Sequence, residues 1–262
     1  MDNLKIRSFS GPDDLFYSAR DLTDDEGRQT VDVDVFHILN AAPAWLTGAE
    51  RLLLFTLIYS LRPARYLEIG VLEGGSAMIV DKAMDAAGHD GKLILVDPKP
   101  EIEPLLWKKL SGRSLLLQGF SPQVLSEARE VAGGPFDFVL IDAGHTTQAV
   151  LRDAEGVLPY LEDGAYLLFH DSYRPAVALG IDLFLQTHVS SLVDFGHLTR
   201  DFANSKPMDQ EGQNTDSVSC GFRILQVRRR HGRRFLVDRW RGSVGRFRRW
   251  AGRIRRERRP EA

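Results

Sequence analysis

The sequence predicts an α/β fold: a Rossmann-like, doubly wound, mostly parallel sheet with an antiparallel C-terminal strand. Three observations carry this. Short apolar runs alternate with helix-length segments from about residue 47 to residue 188. The runs read as strands buried on both faces, the pattern of a parallel sheet covered by helices. The first of them, within Tyr66–Ala77 (YLEIGVLEGGSA), passes straight into a turn at Gly70, Gly74 and Gly75, after which Ser76 and an alanine-rich run open a helix.

The elements follow in order. Residues 1–46 are polar and acid-rich at first, with weak periodicity, and predict a loosely packed N-terminal extension. Thr47–Leu61 has an N-cap threonine, a glutamate (Glu50) three residues on and an apolar body, which predicts a capped helix packed on the sheet. Strands are predicted at 65–69, 92–96, 114–118, 136–141 and 164–170, and helices at about 75–87, 102–110, 121–131, 146–159 and 174–188. After Val189 the alternation stops. Leu192–Leu198 and Cys220–Val227 are two further strand candidates, joined by a polar segment, Thr199–Ser219, too long for a tight hairpin and read as a substrate-side loop. The core domain thus spans 47–227, with a basic tail at 228–262 and no internal repeat.

Of the 262 residues, 43% are hydrophobic and 27% charged, enough for a full core. The formal net charge of −2 hides an asymmetry: from Arg228 onward fifteen Arg face three acidic residues, a balance of +12, while the preceding 227 residues carry −14. The lone Cys220 excludes an intrachain disulfide and fits a reducing compartment. No apolar signal segment opens the chain, and the longest apolar run, Leu52–Tyr59, is far short of the ~20 residues that span a bilayer. A cytoplasmic-type soluble protein is expected.

The glycine turn brings bare backbone N–H groups and a helix N-terminus close to a ligand. It is not the dinucleotide fingerprint G-x-G-x-x-G, because the residue two after Gly70 is Leu72. Glu68, two residues before the first glycine, would repel a pyrophosphate but suits a ligand with a positive amino group. S-adenosylmethionine is the ligand inferred. Asp97 ends the second strand (KLILVDP), where an acid can bind ribose hydroxyls; as half of an Asp-Pro pair it also reads as a turn residue.

A second constellation lies at the next two strand ends. Phe136–His145 (FDFVLIDAGH) delivers Asp142 and His145, and Tyr166–Tyr173 (YLLFHDSY) delivers His170 and Asp171, to the same rim as Glu68 and Asp97. Two carboxylates and an imidazole can ligate a hard divalent cation: Mg²⁺ by oxygen preference, with a His ligand favouring Mn²⁺, Fe²⁺ or Zn²⁺ more. Such an ion would lower the pKa of a substrate hydroxyl, and His145 is the candidate base to take its proton. The competing reading is that a strand-end Asp, Asp171 above all, caps the following helix. His37, His89, His188, His197 and His231 have no such company and receive no role.

Together, YLEIGVLEGGSA, DAGH and FHD resemble the class I S-adenosylmethionine-dependent methyltransferases, over roughly residues 47–227. Within that class the last two segments are similar to metal-assisted small-molecule O-methyltransferases, namely the macrolide sugar O-methyltransferases and the cephalosporin hydroxylase-like group. The resemblance implies that Glu68, Gly70, Gly74 and Ser76 line the methionine end of the cofactor and that Asp97 holds the ribose. It puts the turn from Gly119 to Ser121 near the adenine. Asp142 and Asp171, with His170 or a water as third ligand, would bind the metal, with His145 as general base. His170 is a departure, since several relatives carry an acid there. The expected activity is methylation of a hydroxyl on a small molecule or sugar. The alternatives are an RNA methyltransferase docking through the Arg-rich tail and a catalytically idle Rossmann-like module recruited to membranes.

In the tail, Leu236, Trp240, Val244, Phe247, Trp250 and Ile254 recur at intervals of three or four with Arg between them, a basic amphipathic helix weakened by Gly242 and Gly245. It suits an anionic membrane surface, which would make the protein peripheral at the inner membrane face; packing on the acidic body or in a homo-oligomer and binding to nucleic acid are the other readings.

Overall fold

Each parallel strand packs two faces at once, and the alternation within the first one sets the layout. In β1 (Arg65–Ile69), Tyr66 and Glu68 point to one side of the sheet while Leu67 and Ile69 point to the other, and all four are buried. The computed structural model describes residues 35–110, 112–200, 203–205 and 217–228; the remainder of the N-terminal extension and the tail beyond Arg228 lie outside these.

Ahead of β1 stand α1 (Val35–Ala41) and α2 (Gly48–Leu61). The capping box is formed: Thr47 Oγ1 accepts from Glu50 N–H at 3.3 Å, and Glu50 Oε2 accepts from Thr47 N–H at 2.7 Å. Leu39, Ala42 and Leu46, within the stretch expected to be an extension, are buried in the core. The reason is Arg51, whose guanidinium donates to the carbonyls of Leu39, Ala42, Ala44 and Leu46 and so gathers the turn that leaves α1 onto α2.

The βα units follow: α3 (Gly75–Ala86), β2 (Lys92–Asp97), α4 (Pro104–Leu110), β3 (Ser114–Gln118), α5 (Leu125–Ala132), β4 (Phe136–Ile141), α6 (Thr147–Val157), a 3₁₀ turn (Leu158–Tyr160), β5 (Leu161–Phe169) and α7 (Pro175–Thr187). Three element starts shift by three or four residues, including that of the last strand, expected from Cys220 and found from Arg223. Residues 121–124 form turns instead of the first turn of α5, with the Leu125 N–H bonded to the Pro122 carbonyl. β5 starts three residues early, at Leu161, because a register irregularity between Phe136 and Phe138 lets Leu161 pair with β4 ahead of Gly164.

Last come β6 (Leu192–His197), β7 (Ala203–Ser205), β8 (Ser217–Ser219) and β9 (Arg223–Val227). The large sheet runs in the order β3-β2-β1-β4-β5-β9-β6, and β9 is antiparallel to both neighbours. The segment read as an irregular loop contains the two-stranded ribbon β7–β8, since three backbone pairs suffice to join the ends of a wide connection. Its first residue is tied down: the Tyr173 hydroxyl donates to the Thr199 carbonyl at 2.6 Å, and Thr199 Oγ1 accepts from Phe222 N–H.

One face of the sheet (Tyr66, Leu93, Leu95, Phe138, Leu140, Leu168) packs under α1–α4; the other (Leu67, Ile69, Ile94, Val96, Val139, Ile141, Leu167) packs under α5–α7. Among the described residues no helix is long and apolar enough to cross a membrane.

Candidate active site

The parallel ladder runs one hydrogen bond past the strand ends, and this aligns the rim. Gly119 N–H donates to Asp97, Gly70 N–H to Val96, Asp142 N–H to Ile69, and His170 N–H to Ile141, at 2.8–3.1 Å. With parallel strands about 4.8 Å apart, the five ends span about 19 Å, the scale of an extended adenosyl amino acid.

At the centre of that row the chain turns sharply. Gly70 has φ +93°, and a side chain there would drive into the backbone of Asp142 and Ala143, so β1 and β4 can approach only over a bare α-carbon. Gly74, at φ +78°, is the N-cap of α3 and meets only the Ile102 side chain. Gly75 has a different duty: a Cβ would overlap the Pro43–Ala44 backbone, so it seats the N-terminal segment rather than a ligand.

Glu68 is fully buried beneath the turn. Its carboxyl accepts hydrogen bonds from Ser76 Oγ on α3 and, at 3.0 Å, from the Tyr66 hydroxyl. Burial raises its pKa to about 8 against the opposing pull of the two hydroxyls, with Asp142 and Asp97 adding repulsion. Asp97 Oδ2 accepts from the N–H groups of Val71 (2.8 Å) and Leu72 (3.0 Å), and Oδ1 from Lys99 (2.7 Å). Its carboxylate therefore holds the glycine turn in shape from the end of β2. At the end of β3, Ser121 is buried beside Asp153 of α6, while Phe120 stands exposed.

Asp142, His145, His170 and Asp171 do converge. His170 Nδ1 lies 2.9 Å from Asp142 Oδ1; His145 Nε2 lies 3.0 Å from Asp171 Oδ2 and 3.9 Å from Asp142 Oδ1. Asp171 sits at φ +54°, accepts from the Cys220 N–H and is ion-paired with Arg174, whose Nε lies 2.8 Å away. Burial works against ionisation of Asp142 and Asp171, but the imidazoles of His170 and His145 outweigh it and hold both carboxyls below their ordinary range. The carboxylates of Asp142 and then Asp171, acting as acceptors for its ring, push His145 up to about 9. Without a ligand, His145 is therefore an imidazolium at neutral pH, and acting as a base requires that it first lose a proton.

His170 and Glu50 show what local patterns conceal. The second nitrogen of His170, Nε2, points away from the rim toward Glu50 Oε1 at 3.5 Å. Glu50 is completely buried and accepts from the Gly221 N–H across the chain. A glutamate at the third position of a helix reads as a cap, which it is, and nothing local signals that its other oxygen reaches the end of β5. Tyr66, Arg174 and Cys220 likewise join the site through the fold.

At the opposite, amino edge of the strands lies an open cavity of about 620 Å³ lined by Asp81, Lys82, Asp85, Lys92 and Arg113. Its charges pair with one another, Arg113 Nε–Asp81 at 2.9 Å and Lys82 Nζ–Asp85 at 2.8 Å, which marks an ion-paired surface.

A sheet of this order, with a glycine turn over a buried acid after β1 and an acidic residue after β2, is a Rossmann-like arrangement of the methyltransferase type. Residues 67–172 match a family described as a methyltransferase domain. Solved structures agree in fold. An O-methyltransferase from Bacillus cereus in complex with SAH superposes with a TM-score of 0.55 at 17% identity, over 76% of this chain and 92% of that one. An O-methyltransferase from Streptomyces achromogenes, involved in tomaymycin synthesis and bound to SAM, gives 0.52 at 16% identity, over 76% and 92%. No curated protein matches in sequence.

Proposed function

We propose that the protein transfers the methyl group of S-adenosylmethionine to a hydroxyl of a small molecule or sugar, with His145 as the base. The observation that carries this is the row of strand ends, which sets the Glu68–Ser76 turn one strand away from the Asp142–His145–Asp171 cluster. The methionine ammonium meets Glu68, ribose and adenine lie toward Asp97 and the exposed Phe120 ring, and the sulfonium methyl faces the β4–β5 side of the rim. Methyl transfer is an in-line displacement, so what the enzyme supplies is alignment and removal of one proton. Asp142 and Asp171 orient His145 for that task, and Thr199, whose carbonyl accepts from the Tyr173 hydroxyl close to Asp171, stands on the acceptor's side.

A divalent cation fits this rim in part. Asp142 and Asp171 are oxygen donors facing a common His145, and Asp142 keeps 22% of its side chain exposed. They would hold the ion with water as further ligands, and it would supply positive charge that lowers the acceptor hydroxyl's pKa. His170 fits less well as third ligand, because its Nδ1 is bonded to Asp142 and its other nitrogen faces away.

Calorimetric titration of S-adenosylmethionine, followed by transfer of its labelled methyl group to a panel of hydroxyl compounds, tests the reading. Micromolar binding, and transfer that His145→Ala abolishes, is the expected result. A chain that binds no S-adenosylmethionine, or that labels an RNA panel and no hydroxyl compound, would overturn it. For the tail beyond Arg228 we propose attachment to an anionic membrane surface, on its Trp, Phe and Arg pattern.

A further inference from the structure

The orientation of His170 carries a consequence for the buried side of the site. A carboxylate can only accept, so Nδ1, 2.9 Å from Asp142 Oδ1, carries the proton of that bond. The other ring nitrogen, Nε2, offers its lone pair to an ion once any proton it carries has left. That atom is buried and has no hydrogen-bond partner, in a residue only 6% exposed, and it points toward Glu50. Glu50 Oε, the His170 ring nitrogen and Cys220 Sγ all lie within 4.8 Å of one another; among the described residues they form the group of three so gathered.

We propose that Glu50, His170 and Cys220 form a second cation site, for a borderline divalent ion with Zn²⁺ foremost, separate from the open rim at Asp142 and Asp171.

The donor set selects the ion. One carboxylate oxygen, one imidazole nitrogen and one thiolate sulfur match Zn²⁺, whereas Mg²⁺ and Ca²⁺ take oxygen shells. Bonds of 2.0–2.3 Å to a tetrahedral ion put ligand atoms about 3.5 Å apart, so closure needs side-chain shifts of about 1 Å. Charge balance favours it as well: once the thiol and the imidazole have given up their protons, Glu⁻, Cys⁻ and neutral His total −2, which the ion cancels among largely buried ligands. Binding would release the Cys220 thiol proton and any proton on His170 Nε2 to solvent.

The surroundings already hold each ligand in place. Asp142 fixes the tautomer and ring of His170, the carboxylate–histidine arrangement that accompanies bound zinc. Glu50 is oriented by the Thr47 and Gly221 N–H groups and retains free lone pairs. The Phe222 ring packs edge-on against His170 at 5.4 Å, and Cys220 Sγ lies 3.8 Å from Ser219 Oγ. Because the ligands come from α2, the end of β5 and the residue leading into β9, an ion here would lock the root of the acceptor-side segment onto the body of the domain.

Full-length protein freed of metal with a chelator is titrated with Co²⁺ and then Zn²⁺, followed by absorption and bound-metal stoichiometry. A near-ultraviolet thiolate-to-cobalt charge-transfer band that accounts for one Co²⁺ per chain, beyond any ion held at the rim, and that Zn²⁺ removes and Mg²⁺ does not, is expected. Cys220→Ser should abolish the band, and both it and Glu50→Gln should weaken Zn²⁺ by at least about tenfold; Gln also completes a capping box, so the latter variant keeps its helix. Asp142→Asn should keep the band while weakening Zn²⁺ about 10–100-fold. Absence of binding, Co²⁺ bound without the thiolate band, or affinity unchanged in both Cys220→Ser and Glu50→Gln each overturn the proposal. These readouts involve no methyl transfer, so they stand apart from the fate of the proposed activity.

Discussion

Glu68 offers the sharpest test of cofactor recognition. With no ligand bound its pKa of about 8 leaves it protonated near pH 6.5, yet as partner of the methionine ammonium it must ionise. Binding should therefore expel close to one proton. Ionising the group 1.5 units below its pKa costs about 2 kcal/mol at 1.36 kcal/mol per unit, a thirtyfold weakening that disappears as pH rises. Between pH 6 and 7, where the ligand's own amino group stays charged, Kd should fall about tenfold per pH unit. Calorimetry in buffers of different ionisation enthalpy counts the proton directly. E68Q, which has no proton to lose, should show a flat Kd and none released. A wild-type Kd that is flat between pH 6 and 7, with no proton exchanged, would refute the pairing of Glu68 with the ammonium.

The same shift predicts a stability effect of opposite sign to the usual carboxylate. Glu68 is raised, so the unfolded chain gives up its proton near the ordinary value and the folded chain holds it; stability from this group is lost as pH climbs from about 4.5 to 8, by about 1.4 kcal/mol per unit. Urea unfolding of E68Q should lack that decline. Gly70→Ala meets the Asp142 backbone from a left-handed conformation and should cost about 2–5 kcal/mol, with S-adenosylmethionine binding lost; unfolding within 1 kcal/mol of wild type would contradict the close approach. Arg51→Lys replaces a fork that reaches four carbonyls with a single ammonium and should cost about 2–4 kcal/mol by urea unfolding. NMR titration should find His145 near 9, and Asp171→Asn should lower it, because an anion that favours the imidazolium is gone; stability from this raised group is present below its unfolded value near 6.5 and fades as pH rises through 9. A chain ending at Val227 should lose the binding to anionic liposomes proposed for the full-length protein, and equal binding by both would end the membrane reading.

The sequence alone determined the alternating architecture, because apolar runs too short for helices and buried on both faces admit little but a covered parallel sheet. It also located the glycine turn, the acids after β1 and β2, and the Asp142–His145 and His170–Asp171 pairs, since strand ends are local and in such a sheet all the parallel ones emerge on one side. What it could not contain is direction and distance between elements far apart in the chain. That the Asp97 carboxylate closes on the turn of β1, and that Gly75 seats Pro43, follow from which strands and helices become neighbours. The meeting of Glu50 with the end of β5 and the start of β9, 171 residues away at Gly221, is the clearest case. A capping glutamate, a histidine beside an aspartate and a lone cysteine are three unremarkable local signals. Only the packing of α2 against that end of the sheet brings their ligand atoms within 4.8 Å of one another.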